Sequence, residues 1–505
     1  MKRKSVGKNT LLLSLRMLFL LFINLYASRI TLDYLGVVDF GVYNLVAGII
    51  VTMGFINNSM ALSANRFLNY SLGKGSLDET RNVFNMSLNL HVLIGIVAIV
   101  VGETIGLWFV NTHLIIPDNR LFAANVVYQI SIVVFVLNIV KVPYTADIIA
   151  HEDMGVFAYL GVFEGIGKLL IVYLLPIIAY DKLVTYSLLL LLVAGIVFAY
   201  NYFYCHFHYE ESKFKVVWSQ QLFKDMSLFA GYSTFGNMAT SVVAQGQSIL
   251  LNLFYGPTLN AVRALSLQVN SAICGFMQNI YTASNPQITQ SFARQDLKRF
   301  NKLIFDTSLL GFYILFVIAF PMILETNFVL KIWLKNPPQY LSTFIRLSLV
   351  NSLVFYLTTP SLLGIQATGN VKKTHLWTGC INLMNLSVVY FVWHFFRTEP
   401  YFMILVQIII SVCMVVCIIS IQQHLLKISA CEYFTAVVVK IFKTLLCALP
   451  VPITICLIWN EENFLHFISL SLLSILISLC AIYCYGIDQH IKEQILNKFY
   501  GIFKR

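Results

Sequence analysis

Long apolar runs recur from one end of the chain to the other, and they constrain the fold more than any other feature of the sequence. Each run is close to the roughly 20 residues that a helix needs to cross a bilayer. The runs are continuous and do not alternate with polar residues, which argues against strands. Only 11% of the residues are charged, compared with about 25% in a soluble domain. The pattern predicts an all-α polytopic membrane protein.

The breaks between the runs define about fourteen expected transmembrane helices. They carry Gly, Pro or charged residues, as in "DYLGVVDFG" and "FYGPTLN", which are typical of helix ends. The basic N-terminal segment begins like a signal peptide, but its apolar run continues to Leu32, so we interpret it as a retained first helix. The expected span cores are 11–32, 41–64, 84–110, 122–148, 155–179, 183–205, 228–254, 259–285, 303–325, 342–366, 375–396, 401–423, 434–459 and 464–485.

Basic residues concentrate at alternate breaks. One side holds clusters such as Lys213, Lys215 and Lys224, together with both chain ends. The positive-inside rule therefore predicts that both termini are cytoplasmic. It also accounts for most of the net charge of +11, so no nucleic-acid partner is expected. The opposite side holds only Arg120, Lys182, Lys331, Lys335 and Arg397.

The sequence repeats weakly when it is shifted so that Gly36 falls on Gly256. At this shift, which we call the repeat offset, Pro117 falls on Pro337. Six spans per repeat would relate two six-helix lobes by a pseudo-two-fold axis along the membrane normal. We expect an N-terminal lobe at 1–210, a C-terminal lobe at 211–427, and two additional helices with a cytoplasmic tail at 428–505.

Signatures of catalysis are missing from the sequence. The segment "GVFEGIGK" is one residue too long for a phosphate-binding loop, and its last position is followed by Leu169 where Ser or Thr is required. The cysteines are scattered without zinc-type spacing, and "HED" at 151–153 is not a metalloprotease motif. We therefore expect no enzyme, no cofactor and no metal.

Charged residues inside the spans are the candidates for function, because charges are costly in lipid. Arg16 and Arg29 lie in the first span, and Arg263 lies in the eighth. The first two could instead reach the headgroups on either side. Glu164 and Lys168 are four residues apart on one helix, and a neutralising pair is expected there.

Spans seven and eight each carry a polar face. Such a face does not belong against acyl chains. It either forms hydrogen bonds within the helix bundle or lines a hydrated cavity between the lobes. The polar residues are Ser233, Asn237, Ser241, Gln245, Ser248 and Asn252 in span seven, and Asn260, Arg263, Asn270, Ser271, Gln278, Thr282 and Asn285 in span eight.

The first eighty residues resemble a known family. "RITLDYLGVVDFGVYNLVAGI" followed by "ALSANRFLNYSLGKG" is similar to the polysaccharide and O-antigen flippases of the multidrug/oligosaccharidyl-lipid/polysaccharide exporter superfamily. The matching features are Arg29, Leu35-Gly36, Phe40-Gly41-x-Tyr43 and Arg66-Phe67. The second lobe departs from the pattern, with Pro286 where Arg66 would fall.

The resemblance implies a function. A flippase of this kind in a bacterial inner membrane would move an oligosaccharide on undecaprenyl pyrophosphate from the cytoplasmic to the periplasmic leaflet, by alternating access driven by an ion gradient or the membrane potential. It would act as a monomer among membrane lipids, with glycan-assembly proteins as partners. Arginine suits pyrophosphate, because its planar fork binds two oxygens.

The residues expected to serve this function fall into three groups, and Gly36 and Gly41 are expected to permit the turn after the first span. Candidates for the pyrophosphate are Arg16, Arg29 and Arg263; candidates for the sugars are Asn24, Asn237, Gln245, Gln268 and Gln278; candidates for ion coupling are Glu103, Asp147 and Glu164.

Three alternatives stay open. A multidrug cation antiporter of the same superfamily would require an acidic cavity. An integral-membrane polysaccharide polymerase or acyltransferase would require a large periplasmic loop or a His/Asp motif. A structural partner in a glycan-assembly complex would require neither.

Overall fold

The computed structural model describes residues 6–52, 54–112, 116–178, 180–215, 218–334, 337–459 and 463–487. The described residues form helices and connecting turns without a strand, which confirms the all-α prediction. Ten of the helices are long and apolar enough to cross a membrane, so the chain is a multi-pass membrane protein. Large apolar side chains cover its outer surface, among them Phe122 and Ile96.

The count of fourteen spans remains a prediction. Residues 11–32, 41–64, 228–254 and 259–285 lie on helices that are not among the ten. The last two of these helices carry the polar faces described above. Polar residues lower the mean hydropathy of a helix, so these two helices are less apolar than the ten.

The chain divides into two compact units, as the two-lobed prediction requires. Unit 1 comprises Met1–Asn237 and Thr282–Asp296. In it, α5 packs against α7, α3 and α2, while α1 packs along α6. Its helices are α1 (Val6–Thr52), α2 (Gly54–Lys74), α3 (Leu77–Val101), α4 (Leu107–Thr112), α5 (Leu121–Ala150), α6 (Met154–Leu174), α7 (Lys182–His208), the first half of α8 (Gln220–Tyr255) and the C-terminal part of α9 (Pro257–Ala293), with a π-turn at Gly102–Gly106 and 3₁₀ turns at Asp118–Arg120 and Glu210–Ser212.

Unit 2 comprises Met238–Tyr281 and Leu297–Arg505. Its core surrounds the fully buried Trp393 and Phe344. The helices of unit 2 are the second half of α8, most of α9 (Pro257–Ala293), α10 (Leu297–Leu324), α11 (Thr326–Leu334), α12 (Leu341–Tyr356), α13 (Thr359–Thr368), α14 (Lys372–Phe396), α15 (Phe402–Leu426), α16 (Ala430–Tyr433), α17 (Val439–Ala448), α18 (Pro450–Ile458) and α19 (Phe464–Ala481), with π-turns at Phe434–Val438 and Ile482–Gly486. The lobe boundaries at 210 and 427 stay predictions.

The sequence repeat is visible in the backbone. Gly36 breaks α1 with φ 74° and ψ 167°, and Gly256 separates α8 from α9 with φ 82°. Glycine has no Cβ and can adopt a positive φ without a steric penalty. Gly36 therefore provides the break that the sequence predicts there. Three pairs of helices begin at residues related by the repeat offset, namely α3 and α10 at Leu77 and Leu297, α5 and α12 at Leu121 and Leu341, and α7 and α15 at Lys182 and Phe402.

Candidate functional site

Arg263 is the centre of a polar site inside unit 2. It lies on the second turn of α9 and is only 9% exposed. Its Nη1 donates to Ser248 Oγ at 2.7 Å, and its Nη2 donates to Gln247 Oε1 and to the carbonyl oxygen of Ala244, each at 3.0 Å. These three partners lie on α8. Among the described residues, no carboxylate accepts from this guanidinium, so its charge is compensated by neutral groups alone.

Gln247 extends the site towards α14 and α15. Its Oε1 accepts from Arg263, and its Nε2 donates to Asn385 Oδ1 at 2.8 Å and to Gln407 Oε1 at 3.1 Å. Asn385 is fully buried, and its Nδ2 has no hydrogen-bond partner among the described residues. Buried polar atoms are nearly always paired, so this donor is available to a bound group.

A cavity of about 90 Å³ opens beside Arg263 within unit 2. Two of the asparagine side chains that line the cavity are held by hydrogen bonds from serines. Asn270 Oδ1 accepts from Ser352 Oγ at 2.9 Å, and Asn351 Oδ1 accepts from Ser411 Oγ at 2.7 Å. A cation among neutral hydrogen-bonding groups favours an anion or a hydroxyl-rich group. The lining residues are Gln247, Arg263, Ser266, Leu267, Asn270, Phe344, Ser348, Asn351, Met403, Ile404 and Gln407.

Unit 1 holds a second charged cluster, on α1, α5 and α6. Lys168 Nζ lies 3.0 Å from Glu164 Oε1, which confirms the predicted pair. Arg16 and Lys141 also interact electrostatically with Glu164. The guanidinium of Arg16 lies 4.4 Å from the centre of the Phe157 ring. Three cations thus share one carboxylate, and the cluster is basic.

Arg16 is placed by a glycine. A Cβ on Gly161 would lie 2.0 Å from Arg16 Nε and 2.6 Å from its Cζ, so a larger residue at this position would displace the guanidinium. Arg16 Nε is buried and has no hydrogen-bond partner among the described residues. The side chain therefore lies against α6 within unit 1.

The other predicted ligands are distributed along the chain. The side chains of Asn24 and Arg29 lie outside the described part of the structure. Asn237 Nδ2 donates to Ser59 Oγ at 2.9 Å in unit 1. The remaining three predicted sugar ligands are absent from the lining of the Arg263 cavity and expose their side chains, namely Gln245, Gln268 and Gln278. Their role remains a prediction.

The three predicted ion-coupling carboxylates have different surroundings. Glu103 Oε2 accepts from Gln129 Nε2 at 2.9 Å, and Glu164 is paired with Lys168. Asp147 is fully buried at the end of α5, where neither of its carboxylate oxygens has a hydrogen-bond partner among the described residues.

Arg120 forms salt bridges to two aspartates in unit 1, which we call the ionic tie. Arg120 Nε donates to Asp39 Oδ1, and Arg120 Nη1 donates to Asp181 Oδ2, each at 2.6 Å. Burial alone would raise the pKa of the Asp181 carboxyl. Hydrogen bonds from the backbone N–H of Val184 and from Arg120 outweigh burial, and the pKa of Asp181 is lowered. This tie holds the start of α7 to α5 and α1.

Gln247, Asn385 and Gln407 were not predicted as site residues. Gln247 lies beside the polar face identified on span seven, Asn385 lies three residues after Asn382 on span eleven, and Gln407 is an isolated polar residue within an apolar run. That isolation was the available signal, because a lone amide in a membrane span normally finds a partner.

No protein-family model matches the sequence, and no curated protein does either. Solved structures share the fold. A MOP superfamily transporter from Pyrococcus furiosus, described as having a binding pocket of reverse polarity, aligns with a TM-score of 0.69 at 12% identity, over 84% of this chain and 97% of its own. An outward-facing multidrug resistance MATE family transporter of the MOP superfamily gives 0.69 at 12% identity, over 84% and 96%. MATE in the straight conformation gives 0.69 at 14% identity, over 84% and 97%. The chain therefore has the two-lobed fold of these transporters.

Proposed function

We propose that this protein is a transporter that flips an oligosaccharide on undecaprenyl pyrophosphate across the bacterial inner membrane by alternating access. The fold shared with MOP superfamily transporters supports membrane transport. The resemblance of the first eighty residues to polysaccharide flippases supports the lipid-linked substrate.

The observation that carries the proposal is the environment of Arg263. A buried guanidinium that is compensated only by neutral groups keeps its full positive charge for a ligand. Its neighbours Gln247, Asn385 and Gln407 are amides, which suit phosphate oxygens and sugar hydroxyls equally well. Arg16 and its cluster supply further positive charge in unit 1.

The multidrug antiporter is the second candidate, because a structural neighbour is described as a multidrug resistance transporter. An organic cation would be repelled by Arg263, and none of the residues lining its cavity is acidic. Another neighbour is described as having a binding pocket of reverse polarity. The charge of the pocket can therefore be used to distinguish the two candidate functions. The basic cavity favours an anionic substrate.

The test is flipping of a fluorescent polyprenyl-pyrophosphate oligosaccharide in proteoliposomes. We expect Arg263→Gln to slow flipping at least about tenfold, because a hydrogen bond to a charged group contributes roughly 1.5–3 kcal/mol. Arg263→Lys keeps the charge without the planar fork and should retain part of the rate. The matched control is Arg397→Gln, which removes an exposed arginine from the end of α14 in the same unit.

Two results would contradict the proposal. Arg263→Gln flipping at the wild-type rate would remove the pyrophosphate assignment. Wild-type protein that moves organic cations and leaves the lipid-linked sugar in place would establish the antiporter instead.

A further inference from the structure

The end of α5 and the turn after α7 bring together three groups that can bind a metal. Asp147 lies in the last turn of α5, His151 lies just beyond that helix, and Glu211 lies in the 3₁₀ turn Glu210–Ser212. His151 Nε2 is 2.6 Å from Glu211 Oε1 and 3.8 Å from Asp147 Oδ1. The three ligand atoms all lie within 4.8 Å of one another.

The two carboxylates in this cluster are buried without full compensation. Asp147 is 0% exposed and Glu211 is 3% exposed. Neither carboxylate oxygen of Asp147 has a hydrogen-bond partner among the described residues. A buried carboxylate costs several kcal/mol unless it is paired. One imidazole can balance one carboxylate at most, so the other carboxyl group must be neutralised by a proton or by a bound cation.

The arginine that influences Glu211 directs its guanidinium to other carboxylates. Arg81 has an electrostatic influence on Glu211, but its Nη2 lies 3.9 Å from Glu210 Oε2 and its Nη1 lies 4.0 Å from Asp78 Oδ1. Both of those carboxylates are exposed. Arg81 therefore leaves Asp147 uncompensated.

The imidazole is held in place for a ligand role. The ring of His151 stacks on Tyr209, with ring centroids 4.1 Å apart and an angle of 5° between the planes. The hydroxyl of Tyr209 in turn donates to Asp153 Oδ2 at 2.5 Å. The stacking fixes the plane of the imidazole ring, and the hydrogen bond to Asp153 fixes the tyrosine ring on which it rests.

We propose that Asp147, His151 and Glu211 bind one divalent first-row transition-metal ion, such as Zn²⁺ or Mn²⁺, which fastens the end of α5 to the turn after α7. Ligands about 2.0–2.2 Å from Zn²⁺ at tetrahedral angles lie roughly 3.3–3.5 Å apart. The observed separations of 2.6 and 3.8 Å lie on either side of that value, so small side-chain movements would complete the geometry. One imidazole with two carboxylates suits Zn²⁺, Mn²⁺ or Fe²⁺.

Unit 2 shows that the fold does not require these groups. At the repeat offset, Asp147 and His151 correspond to Ala367 and Val371, which are 0% and 2% exposed. The equivalent helix end is thus closed by apolar packing. Burying a carboxyl group without hydrogen-bond partners is costlier than apolar packing, so its presence in unit 1 points to a ligand.

The site is tested by metal binding to the full chain in detergent, purified on a tag without histidines and stripped with a chelator. We expect one equivalent of Zn²⁺, Co²⁺ or Mn²⁺ per chain, a visible absorption band with Co²⁺, and a raised melting temperature with the bound ion. Asp147→Asn and Glu211→Gln should each weaken binding at least about tenfold. The double variant Asp147→Ala with His151→Val copies unit 2 and should bind no ion while remaining folded.

The control is His208→Gln. His208 is exposed, and its Nδ1 lies 2.9 Å from the carbonyl oxygen of Tyr204, so this variant should bind metal like the wild type. A stripped wild-type chain that takes up none of the three ions would overturn the proposal, and so would a double variant that binds as tightly as the wild type. Neither result bears on transport, because the assay measures binding alone.

Discussion

Units 1 and 2 share a backbone pattern and differ in the polar groups that it carries. Three pairs of their helices begin at residues related by the repeat offset, and a glycine breaks each unit at the matching residue. Yet Arg263 of unit 2 corresponds to Tyr43 of unit 1, which packs edge-on against Tyr186 with centroids 5.0 Å apart. In the other direction, Asp147 and His151 correspond to Ala367 and Val371.

This comparison separates what the fold needs from what function needs. Features found in both units, such as Gly36 and Gly256, set the path of the chain. Features found in one unit alone, such as the Arg263 cavity, are dispensable for that path. Polar groups that occur in only one of the two units are therefore the better candidates for binding a substrate or an ion.

The largest effect on stability is expected at Gly36. Its φ of 74° with ψ of 167° lies in a region that only glycine adopts readily, and other residues there cost about 1–3 kcal/mol. Gly36→Ala should lower the free energy of unfolding by that amount, and Gly256→Ala should lower it too, because Gly256 also has a positive φ of 82°. Thermal unfolding in detergent measures both.

The control for these variants is Gly195→Ala in the interior of α7. A Cβ at Gly195 meets no atom within 4 Å, and alanine favours a helix over glycine by about 0.5–1 kcal/mol. This variant should be neutral or stabilising. If Gly36→Ala behaved like Gly195→Ala, the break in α1 would have no strict need for glycine.

A smaller effect is expected at Arg120, where unit 2 has Tyr340. Arg120→Gln removes the ionic tie to Asp39 and Asp181 and should destabilise the protein by about 1–2 kcal/mol near neutral pH, since the pair is partly screened by solvent. In unit 2, Tyr340 donates to Glu399 at 2.7 Å instead.

The effect of Arg120→Gln should depend on pH. The pKa of Asp181 is lowered in the folded protein from about 3.9 in the unfolded chain. The stabilisation is therefore complete above about pH 4 and is lost as pH falls through the lower folded value. Wild type and variant should converge in acid. Lys74→Gln, which removes an exposed pair with Glu79, should change little at any pH, and an acid-independent difference at Arg120 would contradict the ionic account.

The sequence predicted features that depend on neighbours along the chain. The pair of Glu164 and Lys168 follows from helical spacing, and the turn at Gly36 follows from glycine chemistry. The Gln247 network joins residues 138 and 160 positions apart, and His151 meets Glu211 across 60 positions. The periodicity of one helix does not say which other helix it faces, so these groups required the structure.

The smallest effect on stability is expected at a turn that the two copies of the sequence repeat form with different residues. Gly75 and Gln295 occupy matching positions after α2 and α9, and both have positive φ, 79° and 60°. The left-handed conformation costs a residue with a Cβ roughly 1–2 kcal/mol, part of which glycine recovers. Gln295→Gly should therefore stabilise the protein by up to about 1 kcal/mol, whereas Gly75→Gln should destabilise it by a similar amount. Gln295 is exposed and a Cβ at Gly75 meets no atom within 4 Å, so backbone conformation alone sets the sign. Shifts of the same sign in both variants, measured by thermal unfolding, would show that side-chain contacts outweigh the shared backbone.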